Sequence, residues 1–105
     1  MDKMRAYTKH FVDEAQMTFQ LDYFQLIRSA EQGQVYGIAV QKSDASGVIE
    51  EEIVEGLFEN RGEAEAFLSK LADGLALPVE LIALCDDYIS DRELKEKNKM
   101  DQAAS

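Results

Sequence analysis

Apolar and polar residues alternate along much of the first half of the chain. Every second position from Met17 to Tyr23 is apolar, and this period of two predicts a strand with one buried face. After Tyr23 the pattern shifts by one residue, and Phe24 and Leu26 continue it on the other face. The shift predicts either a bulge near Tyr23 or a strand that is buried on both faces.

Two further strands are predicted over residues 35–42 and 48–58. In the second of these, Ile49, Ile53 and Leu57 are in phase, whereas Glu50 and Glu52 point to the opposite face. Turn-forming residues around Gly33 and over 43–47 separate the three strands and predict an antiparallel meander. Residues 5–12 form either a fourth, edge strand or a loose arm.

The period changes to that of a helix after residue 60. Asn60 followed by Glu63 is typical of a helix start, and Gly74 is typical of a helix end. Between them, apolar residues with helical spacing predict one buried stripe, formed by Ala64, Phe67, Leu68, Leu71 and Ala72. Pro78 begins a second helix, with Glu80 near its positive end.

These elements predict an α+β fold, with a three- to four-stranded antiparallel meander followed by two C-terminal helices on one face. We expect one domain over residues 1–92, in which 1–14 is an edge strand or arm, and a charged, frayed tail over 93–105. The other sheet face is then partly open, or is covered by the N-terminal arm or by a second copy of the chain.

Several segments of these strands and helices carry a resemblance to a known family. They are Tyr36-Gly37-Ile38-Ala39-Val40, Glu50-Glu51-Glu52-Ile53-Val54-Glu55, Pro78-Val79-Glu80-Leu81 and Asp86-Asp87-Tyr88-Ile89. Over residues 17–91 the chain resembles a family of short bacterial proteins that is classed as a domain of unknown function. The resemblance supports the fold and implies no activity, because these motifs contain no reactive constellation.

The composition disfavours two classes of partner. The chain has 105 residues, with 11 Lys and Arg against 21 Asp and Glu, and its formal net charge is −10. This charge repels nucleic acid and anionic membranes. In the one lysine-rich stretch, residues 93–101, the three lysines are balanced by three acids. With one cysteine, no apolar run near the roughly 20 residues of a membrane span and no signal-like start, we expect a cytoplasmic protein.

Few residues could carry chemistry. His10 and Cys85 are the only histidine and cysteine, whereas a structural zinc site needs about four such ligands. Cys85 lies in an apolar stripe before Asp86 and Asp87, so we expect a buried thiol with a raised pKa. The aromatic residues are expected in the core, and the acids near Asp91 on an exposed helix face. We therefore expect no catalytic, cofactor-binding or metal-binding residues, no cofactor and no enzymatic activity.

Acidic residues are concentrated between positions 44 and 65, where eight acids accompany one base. Glu50, Glu52 and Glu55 form a candidate docking face for a basic partner, and the alternative is a solvated face. The leading hypothesis is a small protein-interaction or regulatory module that binds another protein, with a homodimer as a further option. One alternative is an acidic mimic that blocks a basic nucleic-acid-binding protein. A third is an enzyme subunit that binds a small molecule or a divalent metal.

Overall fold

The chain forms a four-stranded antiparallel meander followed by two helices, as the sequence predicts. The computed structural model describes residues 2–31 and 33–104, and the side chains as far as residue 94. Each strand pairs with the next one, in the order β1-β2-β3-β4. The elements are β1 (Asp2–Val12), β2 (Thr18–Ala30), β3 (Gly33–Asp44), β4 (Gly47–Phe58), α1 (Arg61–Asp73), a 3-10 turn (Pro78–Glu80) and α2 (Leu81–Ala104).

Strand β1 is the additional edge strand that the sequence left open as one of two alternatives, and it forms one edge of the sheet. It pairs with β2 along its whole length, and the register shifts between Arg5 and Tyr7, opposite Phe24 and Tyr23. One alternative from the sequence was a bulge in β2 near Tyr23. The irregularity occurs at this place, but the residue without a partner in the pairing, Ala6, belongs to β1. Residues 5–12 are therefore part of an edge strand and not a loose arm.

Strand β2 is buried on both faces, which is the second of the two alternatives that its pattern left open. Tyr23 faces the helices and is fully buried, whereas Phe24 faces the other way and is only 8% exposed. Phe24, Leu26 and Ala39 form a small apolar cluster of their own on the face that carries no helix. We call this side the uncovered face, and the opposite side the helix face.

Strand β4 departs from its predicted pattern. Its register with β3 shifts between Lys42 and Ser43, and again between Tyr36 and Ile38. Gly56, with a φ of 63°, lies in the second shift, after which both Leu57 and Phe58 are buried. The common face predicted for Ile49, Ile53 and Leu57 is therefore wrong, because Leu57 is buried whereas Ile49 and Ile53 are exposed.

Helix α1 begins and ends where the sequence predicts. The Asn60 side chain accepts a hydrogen bond of 3.0 Å from the Glu63 backbone N–H, and Gly74 is the C-terminal capping residue. Helices commonly end with a residue in the left-handed backbone conformation. Here that residue is Leu75, one position after Gly74, with a φ of 52°. All five residues of the predicted apolar stripe are buried, so α1 packs on the sheet through that stripe.

The main core lies between the helix face of the sheet and the two helices. Phe58, Phe67 and Tyr88 join β4, α1 and α2 through ring contacts with centroids 5.2–5.5 Å apart. The Tyr23 hydroxyl donates a 2.8 Å hydrogen bond to the Ala76 carbonyl and fastens the helix connection to β2. Helix α2 runs on to Ala104 and so includes most of residues 93–105, for which the sequence predicts a charged tail.

Candidate functional site

Strand β4 forms the second edge of the sheet and carries the three glutamates of the candidate docking face. Glu50 and Glu55 are exposed, and Glu52 is half-buried. None of the three has an ion pair or side-chain hydrogen bond with a side chain that the structure describes. Their negative charge is therefore available to a partner that approaches this edge.

The three glutamates of this candidate docking face point in two directions. Glu52 lies opposite Val40, so Glu50 and Glu52 share the helix face. Glu55 alternates with them and points to the uncovered face, the side on which Ile53 lies. Only a partner that lies along the edge of β4 can approach all three glutamates.

Glu51 is engaged within the molecule. It accepts a 3.1 Å hydrogen bond from the Lys3 Nζ across the uncovered face, and a second hydrogen bond from the Gln41 side-chain amide. These two donors lower the pKa of the Glu51 carboxyl, the Gln41 amide being the larger cause. Glu51 thus stabilises the uncovered face and is not part of the docking face.

Long polar side chains cover the apolar cluster on the uncovered face. The Lys3 Nζ lies 4.5 Å from the Phe24 ring centroid, and the Arg5 guanidinium carbon lies 5.6 Å from it. The aliphatic stems of such cations shield apolar surface while their charged ends stay in water. Phe24 is consequently buried although no helix packs on it.

A buried carboxylate supports the same face. Asp22 is 2% exposed and accepts hydrogen bonds from the Thr8 hydroxyl at 2.7 Å and the Gln20 side-chain amide at 2.8 Å. The Arg5 Nε lies 3.4 Å from it and compensates its charge. Because these partners satisfy the carboxylate, we interpret Asp22 as a structural group that connects β1 to β2.

The edge of β1 is basic, a feature that the sequence analysis missed. Asp2–Val12 carries three bases, Lys3, Arg5 and Lys9, against the single acid Asp2. These three bases are separated in the sequence and form no continuous basic run, and they reach one edge only because residues 2–12 form a strand. The sheet therefore has a basic edge at β1 and an acidic edge at β4.

The structure separates the two residues that could have formed a reactive pair. His10 is exposed on the uncovered face, where its Nε2 lies 3.3 Å from the Gln20 side-chain oxygen. Cys85 is a free cysteine, 3% exposed, in the core on the helix face. Burial, with a smaller contribution from Asp86, raises the pKa of the Cys85 thiol to about 11, so the thiol is protonated near neutral pH.

The remaining candidate residues lie in the core or at the surface. Tyr23, Phe24 and Tyr36 are buried, and Phe19 stacks on Phe11 with centroids 5.3 Å apart. In the described part of the chain, no three His, Cys, Asp or Glu residues are grouped so that they could hold a metal ion. Among the same residues, no helix combines the length and hydrophobicity that a membrane span requires.

Comparison with known proteins places the chain in a family. Residues 2–91 match the model of the "Family of unknown function (DUF6514)", which covers the four strands, α1 and the first part of α2. The curated proteins contain no match to the chain. The solved structures contain none either. Because the match extends over most of its length, the chain belongs to the family of unknown function DUF6514.

Proposed function

We propose that this protein is a small, non-enzymatic interaction module, and that the edge of β4 binds an extended, basic segment of a partner protein. The observation that carries the proposal is the set of three glutamates on an edge strand without partners among the described side chains. An edge strand presents backbone N–H and C=O groups that a further strand can pair with. Alternating acidic side chains then select a strand that carries Lys or Arg.

The test is a charge reversal on the β4 edge. In the variant Glu50→Lys/Glu52→Lys/Glu55→Lys we expect loss of binding, because each favourable cross-strand pair becomes a repulsive one. A suitable probe is a synthetic lysine–valine peptide of the length of β4, titrated at low and at high salt. Its three lysines are placed so that, in antiparallel pairing, they lie opposite Glu50, Glu52 and Glu55 on their two faces. Binding to the unmodified chain should weaken with salt, since the charges are exposed.

The matched control reverses three acids away from this edge. Glu14, Glu31 and Asp73 are exposed in turns or at a helix end, and their change to lysine alters the net charge of the chain by the same amount. This control should keep most of its affinity for the peptide. Equal loss in both variants would show that only the total charge matters and would overturn the proposal.

The same variants can then be used to capture partners from a nuclease-treated lysate. A protein retained by the unmodified chain and by the control, and lost from the β4 variant, would support the proposed site. If that protein binds nucleic acid and DNA displaces it from this chain, the module acts as an acidic mimic of nucleic acid instead. A lysate in which no protein distinguishes the variants would count against the proposal.

A further inference from the structure

The two edges of the sheet complement one another in charge and direction. Strands alternate in direction along a meander, so β1 and β4 run antiparallel to one another at opposite edges. The β1 edge carries three bases against one acid, and β4 carries four acids and no base. If a second copy is placed beside the first in the same orientation, its β1 continues the sheet antiparallel to β4.

We infer that the basic segment bound by β4 is β1 of a second copy, so that the chain associates head to tail through its two edges. This inference rests on the proposed function, because it names the partner of the same edge. Pairing of like edges is disfavoured, because β4 against β4 opposes glutamates and β1 against β1 opposes bases. The interface is therefore heterologous and generates a ring or an open filament and not a closed two-fold dimer.

The alternation of side chains supports a definite register. In the joined sheet, residues that lie opposite each other on neighbouring strands must point to the same face. Glu50 and Glu52 therefore lie opposite helix-face residues of β1, which include Tyr7 and Lys9. Placing Glu50 opposite Lys9 brings Glu52 opposite Tyr7. The extra residue in β1, Ala6, then brings Glu55 opposite Lys3 on the uncovered face. One register thus pairs Glu50 with Lys9 on the helix face, and on the uncovered face it brings Glu55 beside Lys3, which is also bound to Glu51 of its own chain.

Lys9 and Glu50 provide the cleanest test of this register. Neither residue has an ion pair with a described side chain, whereas Lys3 is already bound to Glu51. The experiment measures the mass of the full chain by sedimentation over a concentration series at low salt. We expect the average mass of the unmodified chain to rise above 11.8 kDa with concentration.

Single and double reversals then separate a specific pair from a general charge effect. Lys9→Glu alone and Glu50→Lys alone should each weaken self-association about fivefold, because an attractive cross-strand pair becomes repulsive. The variant Lys9→Glu/Glu50→Lys exchanges the two charges within one chain and should recover the original association. If self-association is unchanged in the two single variants, the inference is overturned. It is also overturned if the double variant does not recover the association of the unmodified chain.

Failure of this inference can be distinguished from failure of the proposed function. A mass that stays at 11.8 kDa over the whole series rules out self-association. If the lysine–valine peptide still binds in a way that depends on Glu50, Glu52 and Glu55, the proposed function stands and the partner is another protein. If neither the peptide nor a second copy binds, both proposals are wrong.

Discussion

At the scale of single residues, Gln25 carries the one buried side-chain polar atom that has no hydrogen-bond partner among the described residues. It is 4% exposed on β2, and its side-chain Nε2 is buried without a hydrogen-bond partner in the described part of the chain. A buried donor that loses water without gaining a partner costs about 1–3 kcal/mol. Its neighbours on the same face of β2, Tyr23 and Ile27, belong to or pack against the main core.

Replacing Gln25 by an apolar residue of similar length should stabilise the fold. We expect Gln25→Met to raise the free energy of unfolding by about 1 kcal/mol, because it removes the unpaired amide and keeps the volume. The matched control is Gln20→Met, which should lower the free energy of unfolding because Gln20 donates to the buried Asp22. Urea denaturation of both variants measures the difference, and a destabilised Gln25→Met variant would contradict the expectation.

Cys85 links the stability of the core to alkaline pH. Its pKa rises from the ordinary value of 9.0 to about 11 in the folded protein, with burial as the main cause. The unfolded chain therefore releases this proton at a lower pH than the folded chain does. Between pH 9 and 11 the folded state binds more protons, so the stability contributed by Cys85 falls as the pH rises.

The corresponding prediction compares the unmodified chain with Cys85→Ala. Between pH 9 and 11 the free energy of unfolding of the unmodified chain should fall more steeply, by up to about 1.4 kcal/mol per pH unit. Other groups that titrate in this range, such as Tyr23, are present in both proteins and cancel in the comparison. Denaturation at a series of pH values provides the measurement, and parallel pH profiles would show that the thiol does not titrate differently on unfolding.

At the scale of secondary-structure elements, the pairing of β3 with β4 depends on a close backbone approach. Gly37 lies where the register shifts, and a Cβ atom on it would stand less than 3.0 Å from both the Val54 carbonyl oxygen and the Glu55 Cα. Both neighbours are backbone atoms, so they cannot move aside as the end of a flexible side chain would. The irregular part of β4, between Val54 and Phe58, therefore requires a glycine opposite it.

Gly37→Ala should weaken the β3–β4 pair. We expect a loss of about 1–3 kcal/mol in the free energy of unfolding, because the added methyl group forces the two strands apart. Gly74→Ala is the control, since a Cβ there stands 3.4 Å from its nearest neighbour and the φ of −88° suits any residue. Thermal denaturation of the two variants gives the comparison, and equal losses would show that the close approach is not the cause.

The elements also differ in how well the sequence predicts them. Helix α1 is predicted in full, because its cap and its apolar stripe are local features that Asn60 and the following residues carry themselves. Strand β4 is predicted in position and wrongly in orientation, because its two register shifts interrupt the period of two that the pattern assumes. The covering of Phe24 by Lys3 is not readable from the sequence, since it joins strands that are far apart in the chain.

At the scale of the whole molecule, the sequence predicts the fold class and the acidic edge of the sheet, but not the basic edge. The order of strands and helices determines the α+β meander, and the acidic edge is visible in the sequence because its glutamates are consecutive or nearly so. The basic edge is not visible, because Lys3, Arg5 and Lys9 are spaced apart and their segment could have been a loose arm. Only the pairing of β1 with β2 makes them one edge.

The meander also determines how the chain can fold. Every strand pairs with its neighbour in sequence, and Ala45 and Ser46 alone separate β3 from β4. Loops this short cost little conformational entropy to close, and a low separation between paired residues favours rapid folding. The β2–β3 hairpin carries residues of both apolar clusters and can bring them together before the helices dock. The chain can therefore assemble hairpin by hairpin, without waiting for its two ends to meet.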